Sequence, residues 1–134
     1  MVSSTPQSLR RQWADRVLQR SAFLNPLDRC LVRQVLGEGV RPADLAPVAG
    51  VSARTIQRRV RNLADRLTDP DVVFILRHHR RWPRQTASVA LALWIRGLTQ
   101  RQAAERLGLS LHQVRQQAQA IRALLVTQHA QSRP

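Results

Sequence analysis

The sequence predicts an all-α protein, in which an N-terminal helix is followed by two tri-helical units that a linker helix joins. Apolar residues recur three and four positions apart along most of the chain, which is the spacing of one helix face. Residues that begin and end helices separate these stretches. One pattern of such residues also occurs twice, 58 positions apart, as between Gly50 and Gly108. This spacing is typical of a duplicated unit.

Residues 98–118 have the features of a helix, a tight turn and a second helix. Thr99 and Gln102 predict a capping box at the first helix start, and Gly108 supplies the left-handed backbone that ends this helix. Ser110 then begins the second helix with another capping box. The inward positions of that helix are Val114, Ala118 and Ile121. This order predicts a helix-turn-helix, a motif whose second helix enters the major groove of DNA.

The first half of the chain carries the same pattern. Gly39 precedes Gly97 by the common offset, and Ser52 precedes Ser110 by it. The repeat predicts one helix-turn-helix unit over residues 25–68 and another over residues 85–127. Further matched pairs are Leu31 with Val89, Val35 with Leu93, Ile56 with Val114, Val60 with Ala118, and Leu63 with Ile121.

The first copy departs from the pattern at Pro47, which falls inside the first helix of its motif. Proline removes a backbone donor and crowds the preceding turn. We therefore expect a shortened or distorted helix at this point.

Three segments flank the predicted units. Residues 1–24 form a tail and a helix, whose stripe through Trp13 and Val17 either packs on the following domain or pairs with a second copy. Residues 69–84 form a linker helix, which we expect to be a semi-rigid spacer of about 18 Å. Residues 128–134 are polar, and we expect a disordered tail there.

The charge of the chain indicates a polyanionic partner. The formal net charge is +14, and all 22 basic residues apart from histidines are arginine. The planar guanidinium suits phosphates and guanine edges, and so much uncompensated charge favours nucleic acid. We attribute the absence of lysine mostly to codon bias. The charge predicts a polyanionic partner, and the helix-turn-helix pattern predicts that this partner is double-stranded DNA.

Cysteine and apolar content predict the cellular setting. The one cysteine, Cys30, excludes an internal disulfide, and its place among Leu27, Leu31 and Val35, which recur at helical spacing, predicts a packed core thiol. The sequence has neither a secretory segment nor an apolar run long enough to span a bilayer. We therefore expect a cytoplasmic, nucleoid-associated protein with no membrane partner.

No residue pattern indicates catalysis or a metal site. His78 and His79 lie among arginines, which predicts a basic spacer surface, because zinc needs three or four converging ligands. The three tryptophans are expected in packing contacts. Nucleophile–base, paired-carboxylate and phosphate-loop patterns do not occur. The sequence therefore predicts a protein that is not an enzyme, with no metal and no cofactor.

The second half, from Trp82 to Leu125, resembles the C-terminal promoter-reading region of bacterial sigma factors. It is also similar to the helix-turn-helix domains of response regulators, and the first half resembles the tri-helical class shared by repressors and transposase DNA-binding regions. The resemblance implies DNA reading without initiation, since a sigma factor also needs domains that bind core polymerase and melt the promoter. The matching features are the proline-led start at Trp82, Pro83 and Arg84, the helix over residues 90–97, Leu98 with Thr99, Ala103 with Ala104, residues 107–110, and Val114.

The outward positions of the first predicted recognition helix are rich in arginine, which suits bidentate contact with guanine. Arg59 is predicted to point toward a flank where a phosphate lies. With Ile56 and Val60 inward, the base-facing positions are Ala53, Arg54, Gln57, Arg58 and Arg61.

The second predicted recognition helix has a more neutral face, on which glutamines suit adenine edges and Leu111 suits a thymine methyl. Two unlike faces predict an asymmetric DNA site. Its base-facing positions are Leu111, His112, Arg115, Gln116 and Gln119, while Gln113 is kept for the cap. Helix starts face the DNA backbone, which gives the candidate phosphate contacts Ser52, Thr55, Thr99, Arg101 and Ser110.

These patterns favour a transcriptional regulator that binds double-stranded DNA sequence-specifically through two heads. RNA polymerase or another regulator is a candidate protein partner, and the N-terminal helix is a candidate homodimer contact. One alternative is a DNA-processing accessory, such as a terminase small subunit or a transposase-type targeting module. The other is an interaction protein that uses a helix-turn-helix to bind another regulator.

Overall fold

All regular secondary structure is helical in the computed structural model, which describes residues 5–132. The all-α prediction is therefore confirmed for this range. The chain divides into two compact units, Met1–Thr68 and Asp69–Pro134. No helix within the described range combines the length and hydropathy that a membrane span requires.

The first unit has four α-helices within the described residues. Proline at the first helical position and a polar cap begin α1 and α2: the Thr5 Oγ1 accepts the Ser8 N–H at 3.1 Å, and the Asn25 Oδ1 accepts the Asp28 N–H at 2.9 Å. In order, the elements are α1 (Pro6–Arg20), a 3₁₀ turn (Ser21–Phe23), α2 (Pro26–Val32), a π turn (Arg33–Gly37), α3 (Pro42–Ala49) and α4 (Ala53–Thr68).

The second unit, described as far as Ser132, has the same succession of elements. Asp69 caps its first helix by accepting the Asp71 N–H at 2.8 Å. The elements are α5 (Pro70–His78), a 3₁₀ turn (His79–Arg81), α6 (Arg84–Ala90), a π turn (Leu91–Ile95), α7 (Gln100–Leu107) and α8 (Leu111–Ser132).

The internal repeat is present in the backbone. The 3₁₀ turns, α2 and α6, the π turns, and α3 and α7 each begin and end 58 positions apart. Each π turn is followed by a glycine with positive φ, Gly39 at 69° and Gly97 at 71°. Glycine adopts this region without the Cβ clash that other residues meet. The two units are therefore built on one backbone plan.

The repeat extends further toward the N-terminus of each unit than the sequence predicts. Val17 of α1 and Ile75 of α5 are fully buried at equivalent positions. The Ser21 hydroxyl donates to the Leu18 carbonyl at 2.6 Å, and the His79 Nδ1 lies 3.2 Å from the Leu76 carbonyl at the matching place. Each unit thus includes a helix before its three predicted ones.

The prediction that residues 69–84 form a spacer is therefore wrong, because this segment is packed. Val72 and Ile75 are buried, and Phe74 lies against Trp82 with ring centroids 6.2 Å apart. His79 is also buried, which corrects its placement on a basic spacer surface. Because these apolar side chains are covered within the second unit, the segment is part of that unit.

The N-terminal helix packs on the first unit through its C-terminal part, which is the first of the two alternatives left open for its stripe. Val17 is fully buried, and the Arg20 Nη1 donates to the Leu67 carbonyl at the end of α4 at 2.8 Å. Leu9 and Trp13, earlier in the helix, remain about half exposed, at 52% and 41%. Residues 1–4 of the predicted tail lie outside the described residues.

The prediction that Cys30 is a packed core thiol is wrong, because its side chain is exposed. Leu27, on the predicted apolar stripe, is 71% exposed, whereas Asp28 and Val32 face the interior. The α2 helix is thus turned so that a carboxylate lies where the periodicity places a leucine. Asp28 has a partner that makes this burial tolerable, as the site below shows.

Pro47 does not shorten its helix, since α3 has eight residues like α7. The first turn of α3 has a longer hydrogen bond than the first turn of α7. The Leu45 N–H lies 3.4 Å from the Arg41 carbonyl oxygen, while the matching bond from Ala103 to Thr99 is 2.9 Å.

The predicted disordered tail, residues 128–134, is helical as far as Ser132, and residues 133–134 lie outside the described range. Leu125 is buried, and the His129 Nε2 lies 2.6 Å from the Asp71 Oδ1 at the start of α5. Alanine and glutamine in this stretch also favour continued helix. Polar composition alone therefore predicts disorder where the structure has a helix.

Candidate nucleic-acid interface

Each unit contains a helix that ends at a left-handed glycine and turns directly into a longer helix. Gly50 has φ 71° and Gly108 has φ 66°, and each N–H bonds back to the preceding helix. The Ser110 Oγ accepts the Gln113 N–H at 3.0 Å, while the Ser110 N–H donates to the Gln113 side chain at 2.9 Å. The predicted capping box at Ser110 is therefore confirmed, as is the one at Thr99.

In the first unit Ser52 starts α4 in a similar way. Its Oγ accepts the Thr55 N–H at 3.1 Å, and the two hydroxyl oxygens lie 2.9 Å apart. Both corners thus fix where the second helix begins, because the first unpaired N–H groups of that helix are satisfied by a side chain.

The inner face of α4 holds the apolar residues of the first unit, which leaves an arginine-rich face outside. Ile56 and Leu63 are buried to 2% and 0% exposure, and Val60 lies between them at 5%. No hydrogen bond or ion pair engages the Arg54 or Arg58 side chain within residues 5–132. We call the outer set the α4 face: Ala53, Arg54, Gln57, Arg58 and Arg61, of which all but the half-buried Ala53 are exposed.

The α8 helix repeats this division. Val114, Ala118 and Ile121 are fully buried, as the sequence predicts. The outer set, which we call the α8 face, has one arginine where the α4 face has three. It consists of Leu111, His112, Arg115, Gln116 and Gln119, of which all but the half-buried Leu111 are exposed.

The electrostatics of both helices favour an anion. Neither has an acidic residue in its first turn, α4 has Asp65 alone, and α8 has none over Leu111–Ser132. The positive end of each helix dipole is therefore not neutralised by its own helix. The first unit has 12 arginines and 5 acidic residues, and the second has 10 and 3, so each carries a formal charge of +7.

The predicted phosphate contacts lie at the helix starts, but most of them also serve their own helix. The hydroxyls of Ser52, Thr99 and Ser110 each accept a backbone N–H. A hydroxyl that accepts one bond still has a proton to donate, so capping leaves it able to contact a phosphate. Arg101 is exposed in the first turn of α7.

The Arg59 side chain is predicted to point toward a phosphate, but in the structure it contacts a carboxylate of its own unit. Its Nε donates to the Asp28 Oδ1 at 3.0 Å and its Nη2 donates to the Asp28 Oδ2 at 2.8 Å. Asp28 is 2% exposed, whereas the Arg59 side chain is 49% exposed. A buried carboxylate needs such a partner, since an unpaired buried charge is strongly destabilising. The guanidinium is therefore held against α2 while its side chain remains about half exposed.

The second unit has a neutral contact at the same two positions. The Thr86 hydroxyl donates to the Gln117 Oε1 at 2.6 Å, and these residues follow Asp28 and Arg59 by the repeat offset. Sequence reasoning missed both contacts. The available signal was the repeat itself, which places a polar residue at this position of α2, α4, α6 and α8.

Arg66 adds a second cation near Asp28. Burial lowers the pKa of Arg66, the neighbouring Arg59 lowers it further, and Asp28 opposes both. Asp28 thus lies close enough to act electrostatically on both guanidinium groups.

Trp94, one of the three tryptophans, contacts an arginine of α8. The Arg122 guanidinium lies 5.9 Å from the Trp94 ring centroid, which is a cation–π distance. Among the described residues, no three histidine, cysteine or acidic side chains come together in a way that could hold a metal ion.

Comparison of the chain with models of known protein families, with curated proteins and with solved structures finds no match. The functional interpretation therefore depends on the geometry and charge of the two faces.

Proposed function

We propose that the chain is a double-stranded DNA-binding protein of the tandem helix-turn-helix class. In this proposal α3–α4 and α7–α8 are the two motifs, and α4 and α8 are the recognition helices. The observation that carries it is the α4 face, where three exposed arginines follow a glycine corner on a helix with an uncompensated N-terminus. More specifically, we propose a transcriptional regulator that acts by occupying its site or by contacting polymerase or another regulator.

The dimensions support insertion of each recognition helix into DNA. An α-helix with its side chains is about 10–12 Å across, and the major groove is about 12 Å wide. The buried stripes of α4 and α8 hold these helices against their own units, so the opposite faces remain for a groove. Ser52 and Ser110 then lie at the end of the helix that meets the sugar–phosphate backbone.

The two faces read different bases in this proposal. Arg54 and Arg58 suit the paired acceptors of guanine, while Gln116 and Gln119 suit adenine. The half-buried Leu111 suits a thymine methyl group. One chain that places both heads on a duplex therefore recognises an asymmetric site.

Binding of labelled duplexes across a salt series tests the proposal. The logarithm of the association constant is expected to fall linearly with the logarithm of salt concentration, by about 0.9 for each phosphate contacted. A preference among sequences should persist across the series. The variant Arg101→Ala is expected to reduce the slope by about one phosphate without changing that preference. Binding that shows neither salt dependence nor preference contradicts the proposal.

A second candidate is an interaction protein that uses the α8 helix-turn-helix to bind another regulator. The lower charge of the α8 face favours it, because Arg115 is the one arginine of that face and Leu111 adds apolar surface. This function predicts tight binding to a protein together with DNA affinity that is the same for every sequence.

A further inference from the structure

We infer that the Asp28–Arg59 ion pair is a positioning device that sets the orientation of α4, and that Arg59 is not a phosphate contact. The inference rests on the proposed function, in which α4 presents its reading residues, Arg54, Arg58 and Arg61, to the bases of DNA. The orientation of α4 matters for that reason. It assigns the pair a role in sequence preference in addition to its role in stability.

The pair joins the start of α2 to the middle of α4 through a fixed geometry. Both Asp28 oxygens accept from the Arg59 fork, and the Asn25 Nδ2 donates to the Asp28 Oδ2 at 3.0 Å. Asn25 is itself the cap of α2, because its Oδ1 accepts the Asp28 N–H. A planar bidentate pair restricts the rotation of both partners, whereas a single bond does not.

Because Arg59 lies on the same helix as the reading residues, its contact with α2 affects the direction in which those residues point. Successive residues of an α-helix are about 100° apart, so Arg58 points roughly at a right angle to the direction in which Arg59 contacts α2. A rotation of α4 about its axis moves Arg54, Arg58 and Arg61 together. The ion pair therefore acts together with the buried stripe of α4 to hold the whole α4 face in one direction.

The second unit indicates that the contact belongs to the architecture. Thr86 and Gln117 join α6 to α8 at the equivalent positions with different chemistry. A solvated arginine at position 59 gives no reason for a hydrogen bond at position 117. A link between the helix before each motif, α2 or α6, and the recognition helix, α4 or α8, explains both contacts.

The chain itself supplies the matched replacement for the experiment. Four variants are compared with the wild type: Arg59→Gln, Asp28→Thr, the double variant Asp28→Thr with Arg59→Gln, and Arg58→Gln. The double variant carries the side chains that the second unit uses. Arg58→Gln removes one positive charge from the adjacent position and serves as the charge-matched control. For each variant, the affinity for the preferred duplex and for a random duplex is measured across a salt series, which also gives the salt slope of binding. Hydrogen exchange of the α4 amides is measured without DNA.

Each single change at the pair is expected to reduce the ratio of preferred to random affinity about tenfold, because the reading residues are displaced. The double variant is expected to recover most of that ratio and the protection of the α4 amides, with a salt slope equal to that of the wild type. Arg58→Gln is expected to lose the ratio while its amide protection in α4 stays that of the wild type.

A direct phosphate contact gives a different result. Both Arg59→Gln and the double variant then lose affinity for every duplex equally, the salt slope falls by about one contact, and nothing is rescued. Loss of amide protection with an unchanged affinity ratio assigns the pair to stability alone. Either result overturns the inference. Failure of the proposed function is seen separately, because the wild type then shows no sequence preference. In that case the amide exchange still tests the positioning device: if the double variant does not recover the protection of the α4 amides, the device is rejected.

Discussion

Replacing Arg58 with alanine is expected to weaken binding to the preferred duplex about 10- to 100-fold, with a loss of only a few-fold on random duplex. The Arg58 side chain is exposed on the α4 face, and no hydrogen bond or ion pair within residues 5–132 holds it. A bidentate contact with guanine contributes about 1–3 kcal/mol of discrimination, whereas a phosphate contact contributes equally to all sequences. Fluorescence anisotropy at one fixed salt concentration measures both affinities.

Arg10→Ala is the control for that change. Arg10 is exposed on α1 and its replacement removes the same charge away from the α4 face. It should lower both affinities slightly and by the same factor. If Arg58→Ala behaves like Arg10→Ala, the side chain does not read bases.

Replacing Ile121 with alanine is expected to reduce the free energy of unfolding of the second unit by about 2–5 kcal/mol. Ile121 is fully buried, and truncating such a side chain removes its transfer energy and leaves a cavity. A unit of this size has little stability to spare, so the loss brings it close to unfolding. Native-state hydrogen exchange should show reduced protection mainly in α6, α7 and α8.

The matched change in the first unit is Leu63→Ala, because Leu63 is fully buried at the equivalent position. It should reduce protection mainly in α2, α3 and α4. Uniform loss along the chain for both variants contradicts two units with separate cores.

The sequence predicts the corners of the fold well because their signals are local. A glycine at position 108 and a serine at position 110 specify a left-handed turn and a cap within three residues. The buried stripe of α8 follows from residues three and four apart. These features need no knowledge of distant partners, and the structure confirms Val114 and Ile121 in the interior.

The orientation of α2 was not predictable in the same way. Periodicity places Leu27 and Cys30 near the core, but Asp28 is buried because its partner Arg59 lies 31 positions later. An ion pair at that separation leaves no local pattern. The same distance hides Thr86 from Gln117.

The sequence predicts both the N-terminal helix and the helix after residue 69, but it does not show that they are equivalent parts of the repeat, because several matched positions hold different side chains. Ser21 and His79 are unlike side chains, yet each bonds to a carbonyl of the preceding helix and each is buried. A sequence comparison finds glycines and leucines at a common offset. It does not find two different side chains that make the same bond.

Selection of bound sequences from a pool of random duplexes is the decisive test of DNA reading by two unlike heads, since it reports the DNA sequence, its symmetry and its spacing together. We expect enrichment of an asymmetric site, with guanine steps in the part read by the α4 face and adenine in the part read by the α8 face. A pool that remains unchanged after repeated selection, at a salt concentration where the protein binds DNA, contradicts this expectation.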